Sequence, residues 1–179
     1  YTIDTLRPTV GIVVADAALK AGETSLVTFT FNEVVTGFTN ADLTLANGTL
    51  TDVSSSDGIT WTATFTPTAN TTDPSNIITI DKTGILDTAG NAGTGTTDSN
   101  NYAIDTLRPT VGIALSDSAF KIGDTATITF TFSEVPTDFT VEDVTAPSGA
   151  LSDFTVTGDT KVYTATFTPT ADFTDATNI

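Results

Sequence analysis

A chain of 179 residues with 22 Asp and Glu against 6 Lys and Arg, a formal net charge of −16, and no Cys, His or Met is confined to oxygen chemistry. It has no imidazole general base, no thiolate nucleophile and no nitrogen or sulfur site for zinc or copper, whereas its carboxylates, amides, hydroxyls and carbonyls suit hard cations, calcium above all. Dispersed cations argue against nucleic acid and against an anionic membrane surface, and no apolar run approaches the ~20 residues of a membrane span.

The first element, Tyr1 to Ile12, reads YTIDTLRPTVGI and returns at Tyr102 to Ile113 as YAIDTLRPTVGI, an offset of 102 − 1 = 101 residues. Thr9 to Val14 then alternates with Val10, Ile12 and Val14 inward, and Ser25 to Phe31 (SLVTFTF) puts Val27, Phe29 and Phe31 on one face. Asp42 to Ala46 and Thr49 to Val53 are short strands around Asn47-Gly48, a pair suited to a type I′ hairpin because both central residues need positive φ. Thr60 to Thr66 (TWTATFT) places Trp61, Ala63 and Phe65 inward, and Ile77 to Asp81 and Asn100 to Ile104 follow. No window has helical periodicity. Trp61 and its counterpart Tyr163 read as core centres rather than ligand platforms.

The repeat continues beyond its first block. Lys20, Gly22, Phe29, Phe31, Glu33, Phe38 and Asp42 recur as Lys121, Gly123, Phe130, Phe132, Glu134, Phe139 and Asp143. After one inserted residue Trp61, Phe65, Pro67, Asp73 and Asn76 recur as Tyr163, Phe167, Pro169, Asp175 and Asn178. The strand pattern recurs with them, at Ala126 to Phe132 and at Tyr163, Ala165 and Phe167. A period of about 100 residues matches a whole domain rather than a solenoid repeat of roughly 20 to 50, so each copy is expected to bury its own core. About seven strands per copy joined by Gly, Pro, Asn and Asp turns indicate an all-β fold of tandem immunoglobulin-like β-sandwich domains without the antibody cysteines. Residues 1–5 correspond to the last strand of a preceding repeat, 6–105 to the first repeat and 106–179 to a truncated second repeat lacking its last two strands. The ends fall inside repeats, so a longer natural array is expected.

The blocks DTLRPTV, KAGETSLVTFTFNEVVTGFTNADLTLANGTL, DGITWTATFTPTAN, NIITI and LDTAGNAGTG, in that order, resemble the bacterial immunoglobulin-like repeats of large secreted and cell-surface adhesins. Leu6-Arg7 replaces the Thr-Ala usual in that family's linker. The resemblance implies an extracellular, cell-surface extender module whose partners are neighbouring repeats of the same chain, often stiffened by calcium at domain junctions.

In a sandwich whose strands run alternately, the loops after the second, fourth and sixth strands lie beside the incoming linker. They carry Glu33 (with Asn32), Asp57, and Asp87 with Asn91, and the linker adds Asp4. This set approaches the six to eight oxygens calcium takes. Asp105, Glu134 and Asp159 are the equivalents at the second junction, which lacks the last loop and is expected to bind more weakly. Several of these residues also have a plain structural reading. Asp87 to Asn91 makes a good turn around Gly90, Asp4 and Asp105 can cap the corner before Pro8 and Pro109, and Asp42 and Asp143 suit turns. In the linker Pro109 fixes its own φ and keeps Arg108 extended, which restricts bending.

Catalysis is not expected, because the carboxylates are scattered over turns and no nucleophile motif or phosphate loop is present. The competing reading is an accessory carbohydrate- or protein-binding module of a secreted enzyme, which requires an exposed aromatic patch.

Overall fold

The computed structural model describes residues 3–172 and Thr174. Tyr1, Asp175 and Asn178, which take part in the repeat correspondence, lie outside the described residues. The chain divides into two compact units, Tyr1–Arg108 and Pro109–Ile179. The division falls beyond residue 105 because Thr106 is buried in the first unit, where its hydroxyl donates to the Thr68 carbonyl at 2.6 Å.

The first unit contains β1 (Val10–Val14), β2 (Ala18–Lys20), β3 (Ser25–Phe31), β4 (Val35–Thr36), β5 (Leu43–Leu45), β6 (Gly48–Leu50), β7 (Ser54–Ser55), β8 (Thr60–Pro67), β9 (Thr72–Asn76), β10 (Ile78–Asp81), β11 (Leu86–Asp87), β12 (Thr96–Asp98) and β13 (Tyr102–Asp105). The period-two segments form the main sheet, in the order β1-β3-β8-β6, with β7 also on β8. A second layer is built from the three-stranded sheets β12-β10-β5 and β2-β13-β9 and the pair β11-β4. Between the layers, Ile12, Val14, Val27, Phe29, Phe31, Ala63 and Phe65 meet Ile78, Ile80, Tyr102 and Ile104 in one buried cluster. The alternation read from the sequence therefore produces a sandwich, with threonines on the outer face of β3 and β8.

In the second unit, β14 (Val111–Leu115), β15 (Ala126–Phe132), β16 (Gly149–Val156) and β17 (Val162–Pro169) form a single sheet ordered β14-β15-β17-β16. Its separate cluster centres on Ile128, Phe130 and Ala165.

Two expectations are corrected. Asn47-Gly48 is not a hairpin turn, because β5 pairs with β10 in one layer and β6 with β8 in the other. Only Asn47 takes positive φ (55°), and its amide donates to Asp73 and Asn76 at 2.8 and 2.9 Å, anchoring a crossover between layers. The glycine is needed for contact rather than for φ: a Cβ on Gly48 would overlap the Phe65 ring, and one on Gly149 the Phe167 ring. Trp61 and Tyr163 are only half-buried. The aromatic hub is instead Phe38, edge-on to Phe29, Phe31 and Trp61 at 5.1, 5.5 and 5.4 Å, and Phe139 does the same for Phe130, Phe132 and Tyr163.

The residue after each hub opens a single 3₁₀ turn, Asn40–Asp42 or Val141–Asp143. There Asp42 and Asp143 accept the Thr39 and Thr140 amides at 2.8 Å, closing capping boxes. They are turn residues.

Candidate metal centre

At the end of the first unit where the linker enters, one oxygen each of Asp4, Glu33 and Asp87 lie within 4.8 Å of one another. Local chemistry brings these three segments together. Asn32, just past β3, accepts the Thr9 amide on Oδ1 at 2.6 Å, and its own amide donates to the Thr9 carbonyl at 3.1 Å, so the linker is tied back beside Glu33. Asp87 is placed by β11, which pairs with β4 so that Asp87 lies opposite Val35. Asp4 accepts the Leu6 amide at 3.0 Å, which turns the linker and holds the carboxylate at the loop end.

The Asp87 loop closes on itself. Gly90, at φ 90°, allows the chain to return so that the Asn91 amide reaches Asp87 Oδ1 at 2.7 Å and the Asp87 amide reaches the Asn91 carbonyl at 3.1 Å. Burial alone would raise the Asp87 pKa. Hydrogen bonds from the Asn91 side chain and from the amides of Asn91, Ala89 and Gly90 outweigh it and keep the carboxyl below the ordinary Asp value. Asp87 is thus a buried carboxylate that stays ionised.

The donor set fits a hard cation. Asn91 Nδ2 donates to Asp87 Oδ2 at 2.7 Å and to the Asp4 carbonyl at 3.2 Å, so an amide N–H already bridges two of the segments as a cation would. Turning that amide over would offer its oxygen instead. The carboxylates of Asp4, Glu33 and Asp87, the Asp4 carbonyl and Asn91 Oδ1 then supply most of a calcium shell, with water completing it. Asn32 cannot join them, since its oxygen is held by Thr9. The Arg7 guanidinium donates to the Ala92 carbonyl at 2.6 Å.

Asp57 lies outside this triad. Its Oδ1 accepts the Thr60 and Ile59 amides, each at 2.8 Å, and the Ser55 hydroxyl at 3.0 Å, which together hold its pKa below the usual Asp value. Asp105 belongs to β13 of the first unit and accepts the Thr72 hydroxyl at 2.9 Å. In the second unit Asp159 repeats the Asp57 turn by accepting the Lys161 amide at 2.9 Å, and Glu134 is half-buried with Oε1 enclosed and without a hydrogen-bond partner. Ser133 stands where Asn32 does and keeps the linker lock, accepting the Thr110 amide at 2.9 Å, while Lys161 Nζ donates to its carbonyl at 3.1 Å. The Asp4 carbonyl and the lock formed by Asn32 were not anticipated from sequence, since both depend on where the linker backbone passes.

Among solved structures, the chain is similar to the Escherichia coli adhesin FdeC (16% identity, 89% of this chain and 55% of that one, TM-score 0.43). It is also similar to the Yersinia pseudotuberculosis adhesin InvE (20%, 90% and 51%, TM-score 0.42) and to the I9–I11 tandem of titin (7%, 93% and 57%, TM-score 0.33). It spans little more than half the length of each. No curated protein sequence matches it significantly. Among the described residues no helix is long and apolar enough to cross a membrane. A family model for the bacterial Ig-like domain matches residues 4–104 and again 105–179, and the chain belongs to that family.

Proposed function

We infer that this chain is an extender module of a bacterial surface adhesin and that the linker end of its first sandwich binds calcium. The observation that carries the metal reading is the meeting of Asp4, Glu33 and Asp87 from three separate segments. An ion there would clamp the incoming linker to the sandwich, which is the mechanical role a stalk needs at its joints. The extender role rests on the tandem of Ig-like domains. An accessory binding module finds less support, because among the described residues the exposed large apolar side chains are all aliphatic.

Thermal unfolding with calcium or with chelator tests the site. A one-site ligand at about 100 times its Kd stabilises by about 2.7 kcal/mol, which raises Tm by roughly 10 °C or more in a domain of this size. Asp4→Ala and Asp87→Ala are each expected to remove most of that increment, and an unmodified protein indifferent to calcium sinks the metal reading. For the extender role, small-angle scattering is expected to report an elongated particle, and a compact one overturns it.

A further inference from the structure

The carboxylates of the candidate metal centre come from three segments, and one exposed residue of the linker is bonded to the other two. The Arg7 carbonyl accepts Asn32 Nδ2 at 3.4 Å, next to Glu33, and its guanidinium donates to the Ala92 carbonyl at 2.6 Å, next to Asn91. Pro8, which follows it, is fully buried and anchors the linker below.

Asp87 and Asn91 lie at the tip of a hairpin. Its arms are joined near the tip by the Asp87 amide on the Asn91 carbonyl at 3.1 Å and at the base by the Gly93 amide on the Ile85 carbonyl at 2.9 Å. Packing fixes the base: Ile85 is fully buried, and Gly93 lies so close to Lys82 that a Cβ there would come within 2.8 Å of the Lys82 Cβ. The outgoing arm is paired to β4. The return arm meets the linker instead, through Asn91 Nδ2 on the Asp4 carbonyl at 3.2 Å and Arg7 on Ala92. These two bonds are not equivalent. The Asn91 bond is given up when that amide turns over to offer its oxygen to a cation, whereas the Arg7 bond uses a carbonyl outside the ligand set and survives.

On the calcium reading of this site, we propose that Arg7 is its positioning residue: it docks the return arm on the linker with or without the ion and thereby raises calcium affinity. A donor set already held together loses less freedom when the ion arrives. Charge alone predicts the opposite sign, because a guanidinium among these segments repels a divalent cation and its removal would tighten binding.

Arg7→Met keeps the aliphatic stem and removes donor and charge together, and Arg7→Lys keeps the charge and a shorter donor. Calcium titration against a competing chelator is run at low salt and at about 1 M salt, where the Debye length of about 3 Å screens the charge effect. Arg7→Met is expected to bind calcium about 3- to 10-fold more weakly at both, the range that one hydrogen bond supplies, with Arg7→Lys recovering part of the loss. Equal or tighter binding by Arg7→Met at high salt overturns the proposal. Hydrogen exchange in chelator reads the docking without the ion: the Asp87 and Gly93 amides are expected to exchange several-fold faster in Arg7→Met, with the β3 amides unchanged. Unchanged exchange in the hairpin, or an equal rise throughout β3, overturns the docking. An unmodified protein that binds no calcium sinks the calcium reading and the affinity effect with it, and leaves the docking to stand or fall on that exchange.

Discussion

Three side chains show how local environment sets the response to pH. Hydrogen bonds to Asp57 and Asp87 lower their folded-state pKa, so both bind protons less tightly folded than unfolded. Their contribution to stability is complete above the unfolded value of about 3.9 and is lost as pH falls through the lower folded values. Thermal melts between pH 7 and pH 2 are therefore expected to show Tm falling below about pH 4, with a shallower fall in Asp57→Asn. Tyr102 behaves oppositely. Burial, helped by the negative charge of Asp73, pushes its phenol up to about 12. Between about pH 10 and that value the unfolded chain is deprotonated and the folded one is not, so stability falls as pH rises, by on the order of 2 kcal/mol. The Tyr102 hydroxyl has no hydrogen-bond partner. Tyr102→Phe is thus expected to match the unmodified protein at neutral pH and to flatten its alkaline loss, read by denaturant unfolding at pH 8 and pH 11. Of the site residues, Asp4, Glu33, Asp87 and Asn91 were brought together from sequence by loop order alone. Asp57 could not be separated from them that way, because its turn fixes where its lone pairs point.

At the scale of elements, legibility follows length. β3 spans the run SLVTFTF and β8 runs one residue past TWTATFT, because seven or eight residues hold several periods of alternation. β2, β4, β7, β11 and β12 have two or three residues each and hold no period at all. β9 reads TDPSN, with no apolar alternation, and pairs only because β13 lies beside it. The Asn47-Gly48 corner was misread for a related reason: local turn chemistry is the same whether the next strand stays in its layer or leaves it. The Phe65 ring under Gly48 settles the matter. Gly48→Ala is expected to cost about 1–3 kcal/mol in denaturant unfolding through overpacking, a penalty that a surface hairpin glycine would not show. Gly149→Ala should do the same in the second unit against Phe167.

For the molecule as a whole, two clusters of unequal burial predict two unfolding transitions. Calorimetry is expected to resolve a less stable second unit, with Val111, Ile113 and Leu115 exposed, from a more stable first one. Calcium should raise only the upper transition, since Asp4, Glu33 and Asp87 all belong to the first unit. The sequence by itself determined the domain-length repeat, the β-sandwich class, the inward faces of the long strands and the restriction to oxygen ligands. Composition and period are properties of neighbouring residues and need no knowledge of what packs where. Tertiary structure alone decided the layer switch at Gly48, the Phe38 hub and the separation of Asp57 from the carboxylate triad. The first two depend on contacts between residues far apart in the chain, and the third on where the Asp57 turn points its lone pairs, which residue types alone do not specify.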